Sequence, residues 1–133
     1  MADARTLGDL QLAILRELWV RGEATVAAVH EALRPTRGLA PTTIATMLTK
    51  MEKRALVTHR VEGRQFVYRA AVARDEVERS MVAELVDRLF QGDPAALVNR
   101  LLDEGSFGDD DLTAIKRRIA EAQTDEPDAR GES

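Results

Sequence analysis

From Pro41 to Lys53 the apolar residues Ile44, Met47, Leu48 and Met51 recur at i, i+3, i+4 and i+7, the spacing of one stripe on an α-helix. At about 100° per residue, Thr42, Thr46, Thr49 and Lys53 fall almost directly opposite that stripe, with Thr43 and Lys50 flanking them. Glu52 is the one carboxylate, and it lies well off the threonine centre. Threonine is a poor helix former, so helix propensity does not account for three of them on one face. Short hydroxyls beside ammonium groups suit phosphate oxygens and base edges in a DNA major groove. The plainer reading is a core helix with an arbitrary polar face, and this stretch alone does not separate the two.

Before it, Leu7 to Arg21 reads as a first helix, with Leu7, Leu10, Ile14, Leu15, Leu18 and Trp19 on a broad apolar face and Gly22 as its stop. Trp19 is expected to pack in the core. Thr25 caps a short second helix through Leu33, with Val26, Val29 and Leu33 inward, and Arg34 to Gly38 reads as a turn. Pro41 suits the first position of the third helix, where its missing N–H costs nothing. After Arg54 the period changes from 3.6 to 2. Val57–Val61 and Gln65–Arg69 are strand-like, and Glu62-Gly63-Arg64 turns between them. Three short helices followed by a β-hairpin are the order of a winged helix-turn-helix, with the third helix placed for the groove and the hairpin for the backbone.

From Arg74 the chain is helical again. Val77, Met81, Leu85, Leu89 and Phe90 line one face, and Asp93-Pro94 starts a further helix holding Leu97, Val98, Leu101 and Leu102. Asp109 to Asp111 place negative charge at the start of a last helix with Leu112, Ile115 and Ile119 on its apolar side. These helices carry more large aliphatics than surface helices need and are too short for a core of their own. They are read as a dimer interface, with intramolecular packing on the first helix as the alternative. The expected organisation is a mostly α chain with a small β-hairpin: a winged helix-turn-helix domain over 1–71, a helical dimerisation region over 72–123 and a disordered polar tail over 124–133.

Charge sharpens this picture. The 133 residues carry a net charge of −4, but Arg34 to Arg69 holds eight bases and two acids, a balance of +6, and Ala70 to Ser133 holds eight bases and 16 acids, a balance of −8. A basic module joined to an acidic one is the implied arrangement. Screening over ~8 Å at physiological salt keeps the acidic half from cancelling the basic face. Only 4% of residues are aromatic, which disfavours single-strand recognition by stacking. The chain has no cysteine, so disulfides and thiolate metal sites are excluded. No apolar run approaches the ~20 residues of a membrane span, and the N-terminus lacks a signal-peptide core, so a cytoplasmic protein is expected.

No catalytic constellation emerges, and neither a metal nor an organic cofactor is expected. His30 and His59 lie on different elements, one read as a surface residue of the second helix and the other as a hairpin side chain. The acidic pairs Asp75-Glu76 and Asp110-Asp111 sit at helix starts, where capping explains them.

Leu10 to Trp19, the run from Ala40 through Pro41 to Lys53, and the hairpin ending Phe66-Val67-Tyr68 resemble the penicillinase-repressor (BlaI/MecI) family. The likeness spans roughly Leu7 to Ile119. It implies a homodimeric winged-helix repressor on inverted-repeat, double-stranded operator DNA, in whose best-known members a membrane receptor senses β-lactam and repressor cleavage releases the operator. Thr43, Thr46 and Lys50 fall on the family's recognition-helix contacts, while Thr42 and Ala45 stand where close relatives place basic residues. The family's cleaved pair is Asn-Phe; an ungapped reading puts Arg100-Leu101 there, which speaks against a receptor protease as partner. The expected DNA-facing residues are Thr42, Thr43, Thr46, Thr49, Lys50 and Lys53 of the third helix and Arg60, Arg64 and Gln65 of the wing. Met81, Leu85, Leu89, Phe90, Leu97, Leu101, Leu112, Ile115 and Ile119 are the expected dimer contacts. The rival is a winged-helix protein-interaction module that binds no DNA.

Overall fold

The apolar stripes condense as the periodicity requires. In the computed structural model, which describes residues 7–125, the elements run α1 (Asp9–Arg21), β1 (Ala24–Thr25), α2 (Val26–Arg37), α3 (Pro41–Lys53), β2 (Val57–Glu62), β3 (Gln65–Ala70), α4 (Arg74–Phe90), α5 (Pro94–Asp103) and α6 (Asp109–Asp125). The described residues divide between Leu85 and Val86 into two compact units.

The first unit holds one core. Ile14, Leu15 and Leu18 of α1, Val29 and Leu33 of α2, and Ile44, Leu48 and Met51 of α3 meet Leu56, Val57 and Tyr68, all buried. Each large side chain so buried contributes about 1.5–3 kcal/mol, which fixes α3 by its inner stripe and leaves its outer face free. Val77, in the first turns of α4, joins the same core at 1% exposure. Trp19 is half-buried at its edge, as core packing predicts. Its Nε1 donates to the Val72 carbonyl at 2.9 Å, and the Arg74 guanidinium lies 5.9 Å from the ring centroid.

Caps follow the sequence closely. The Thr25 hydroxyl accepts from the Ala28 N–H at 3.1 Å, and Gly22 closes α1 with its N–H on the Leu18 carbonyl. The turn expected over Arg34–Gly38 is instead the last turn of α2, which ends in left-handed Gly38. Pro35 is tolerated there because the carbonyl it deprives of a partner, on Glu31, belongs to an exposed residue that water can serve. Beyond α3, the Leu56 N–H reaches the Met51 carbonyl and the Ala55 N–H the Glu52 carbonyl, a Schellman closure with Ala55 rather than glycine at φ 62°.

The sheet has the order β1-β3-β2, antiparallel throughout. Strand β1 has no counterpart in the sequence reading, since two residues carry no readable period; Ala24 and Thr25 pair with Tyr68 and Val67. Glu62 pairs with Gln65, so the hairpin loop is Gly63-Arg64, with Gly63 at φ 64° supplying the left-handed turn position.

In the second unit Asp93 caps α5 through the Ala95 N–H, and Asp109 to Asp111 occupy the first turn of α6, as expected. Thr124 and Asp125, assigned to the tail by sequence, belong to α6; the remainder of that tail lies outside the described residues. Among the described residues no helix is long and apolar enough to cross a membrane.

Candidate nucleic-acid interface

The outer face of α3 is the first component. Thr42, Thr43, Thr46 and Lys50 are exposed and form one shallow surface depression floored by Met47. Among the described residues, no carboxylate lines it. Lys53 is exposed one turn further along. Thr49 stands apart from the other threonines. Its hydroxyl donates to the Ala45 carbonyl at 3.1 Å, and with Ala45 it forms one wall of an open groove shared with Arg64, Gln65, Phe66 and Tyr68 of the hairpin and Thr25, Val26 and Ala27 of the β1–α2 corner. Thus α3 and the wing tip, carrying Arg64 and Gln65, lie along one groove.

Strand register sorts the remaining wing residues. Paired residues share a face, so His59, Tyr68, Val61 and Phe66 lie on one side of the hairpin and Thr58, Arg69, Arg60, Val67, Glu62 and Gln65 on the other, although Gln65, next to the loop, still borders the groove. The first side faces α3, because the His59 Nδ1 lies 2.7 and 2.9 Å from the two Glu52 carboxylate oxygens. Arg60, expected to face DNA, is therefore on the side of the hairpin away from α3. Its guanidinium donates to Glu23 at 2.8 Å and to Glu62 at 2.9 Å. The Glu23 bridge spans β3, beside cross-strand partner Val67, which is only 6% exposed although it lies on this outer side. Arg60 thus straps the sheet. Hydrogen bonding from Arg60 holds the Glu23 carboxyl below its usual range, and Glu23, then Glu62, raise the guanidinium pKa. Burial pushes the Tyr68 phenol up; the nearby Glu52 charge adds to this and a hydrogen bond with Thr49 opposes it.

Two histidines prove more integrated than the sequence suggests. His30, expected at the surface, is half-buried, and its Nε2 donates to the Leu39 carbonyl at 2.9 Å, fixing the connection that leads into α3. At the other end of α3, Gln11 of α1 accepts from Arg54 at 3.2 Å and reaches Met47 Sδ at 3.5 Å. The helix is held from both ends by neighbours that leave its outer threonines untouched.

A three-helix unit with a hairpin beside an exposed, acid-poor third helix is a winged helix-turn-helix. The family model described as penicillinase repressor matches residues 7–121. The chain belongs to the penicillinase repressor family. The transcriptional regulator BlaI of Mycobacterium tuberculosis is 36% identical over 129 residues, covering 92% of this chain and 89% of that protein. The penicillinase repressor of Bacillus licheniformis is 22% identical over 115 residues, covering 86% and 90%. The solution structure of the DNA binding domain of the repressor BlaI superposes with a TM-score of 0.51 at 28% identity, covering 57% of this chain and 93% of that domain. Members of this family are transcriptional regulators, and the fold here is the winged helix of that relative.

The second unit of this family member keeps apolar side chains in solvent. Leu89 is 61% exposed, Val98 50% and Ile119 53%; Leu101 and Leu102 are exposed as well. Of the other expected dimer contacts, Phe90, Leu97, Leu112 and Ile115 are half-buried. In the first unit Leu85 is exposed and Met81 packs against the core. Arg100 and Leu101 lie inside α5, with Arg100 3.8 Å from Glu104.

Proposed function

We propose that this chain is a transcriptional repressor that binds double-stranded operator DNA as a homodimer. The observation that carries the reading is the acid-free surface of Thr42, Thr43, Thr46 and Lys50 on the third helix of a winged helix, in a chain of the penicillinase repressor family. The likeness of the first unit to the DNA binding domain of a BlaI repressor supports it. In this reading α3 enters the major groove. Thr42, Thr43 and Thr46 offer hydroxyls and methyls to base edges, and Lys50 and Lys53 reach a guanine edge or phosphates. Thr49 lines the flank of that surface, and Arg64 and Gln65 at the wing tip meet the adjacent backbone.

The dimer would form through Met81, Leu85, Leu89, Phe90, Leu97, Leu101, Leu112, Ile115 and Ile119, making residues 72–123 the assembly region and 1–71 the reader. Exposed aliphatics on α4, α5 and α6 support this, since a soluble chain rarely leaves so much apolar surface without a partner. Two readers on one DNA face require half-sites separated by one or more turns of ~10 bp. An event that separates the C-terminal helices would release operator without touching the reading face, by removing the effective concentration of the second half-site. Arg100-Leu101 is not proposed as a cleavage point: it lacks the Asn-Phe pair and is held within a helix. The reading assigns no catalytic step and places the chain with chromosomal DNA in the cytoplasm.

Selection from a random-sequence duplex library tests it. An inverted repeat with a fixed spacing should be enriched, and Lys50→Ala should weaken binding to that duplex by about 1–3 kcal/mol. A library that emerges without sequence preference contradicts the proposal.

A further inference from the structure

Glu52 is the puzzle of the reading helix. It is the only acid between Arg34 and Val61, and a carboxylate beside a phosphate-facing surface repels the ligand. The structure turns it away. Both oxygens approach the His59 Nδ1, at 2.7 and 2.9 Å, and a carboxylate only accepts, so Nδ1 carries the proton. The His59 ring stacks on Phe66, with centroids 4.1 Å apart and planes within 14°, and lies 5.3 Å from Tyr68. Phe66 is one residue beyond Gln65 and two beyond Arg64 at the hairpin loop. A continuous chain of contacts therefore runs from α3 through Glu52, His59 and Phe66 to the wing tip.

We infer that Glu52 and His59 are positioning residues for DNA binding: their hydrogen bond latches the wing to the recognition helix and sets the width of the groove between them. This rests on the repressor reading above. The shared groove wall supports it, because Phe66 and Tyr68 line that groove opposite Ala45 and Thr49. With the latch closed, Arg64 and α3 engage DNA as one rigid surface. With it open, the α3 side of the hairpin loses its tie while the Arg60–Glu23 bridge and the pairing with β1 remain, and ordering the tip against α3 on each binding event costs conformational entropy.

The latch and simple electrostatics predict opposite signs. If Glu52 acted only as a negative charge near DNA, Glu52→Met would tighten binding. On the latch reading, both Glu52→Met, which removes the acceptor as well as the charge, and His59→Phe, which keeps a ring on Phe66, weaken binding to the duplex selected by the wild-type chain by roughly five- to tenfold, the range of one hydrogen bond still partly open to water. Thermal melts verify that both variants are folded. Arg64→Ala should then cost less in either latch variant than in the wild-type chain, a coupling that a merely structural role for Glu52 would not produce. Tighter or unchanged binding of Glu52→Met, or an Arg64 effect that is the same in both backgrounds, overturns the inference. An independent readout needs no DNA: nitrogen-15 NMR of the free protein should find neutral His59 protonated at Nδ1. A proton at Nε2 overturns the latch whatever the fate of the repressor reading, which the library selection tests separately.

Discussion

Arg60→Ala tests the division of labour within the wing. By sequence Arg60 is one of three wing residues facing DNA; by register it lies on the far side of the hairpin, bound to Glu23 and Glu62. The magnitude follows from counterion release. A side chain that neutralises one phosphate steepens the log–log dependence of affinity on salt by about 0.9, and its removal flattens the slope by as much. Because the guanidinium is committed to two carboxylates, Glu23 across the sheet and Glu62 on its own strand, replacing it should leave that slope unchanged and operator affinity within about twofold. The effect should appear in the fold instead, as a small drop in melting temperature when Val67 is uncovered. Fluorescence anisotropy at several salt concentrations, run beside Arg64→Ala, gives both slopes. A slope that flattens by about 0.9 for Arg60→Ala would show that the arginine leaves its carboxylates for a phosphate, and would refute the assignment.

Four further outcomes are expected. Leu48→Ala, at a fully buried position on the inner face of α3, should destabilise the chain by about 2–5 kcal/mol in urea denaturation. Ala55→Gly should stabilise it by about 0.5–1 kcal/mol, since the left-handed conformation costs an L-residue roughly 1–2 kcal/mol and glycine's extra chain entropy offsets part of that. Leu101→Glu should shift sedimentation toward monomer and weaken binding to a full operator more than to a half-site. The Glu23 carboxyl, followed by NMR, should titrate below the ordinary range and return to it in Arg60→Ala; because its folded pKa is depressed, any stability it contributes is present above the ordinary value and lost as pH falls through the depressed one.

Much of this molecule is readable because its signals are local. The stripe of Ile44, Leu48 and Met51 fixes both the existence and the facing of α3, and Thr25, Asp93 and Pro94 mark helix starts where the structure has them. What the sequence hides depends on pairing across distance. The two-residue strand β1 exists only because β3 lies beside it. Pro35 signals a turn, yet packing of Leu33 and the left-handed Gly38 carry α2 past it. Arg60 counts toward a basic wing, and only the register with Val67 and the proximity of Glu23 reveal its other use. The pairing of Glu52 with His59 is partly legible: alternation and hairpin register place His59 and Phe66 on one face, but which helix that face meets is decided by the tertiary fold.

The salt dependence of binding between the 133-residue chain and its selected duplex, with a scrambled duplex as control, tests whether this face binds DNA. If α3 and the wing tip together neutralise several phosphates, affinity for the selected duplex should fall steeply, by about 0.9 in log–log slope per phosphate, while preference over the scrambled duplex persists. A shallow slope without preference would mean that the threonine and lysine face of α3 serves a protein partner and not DNA.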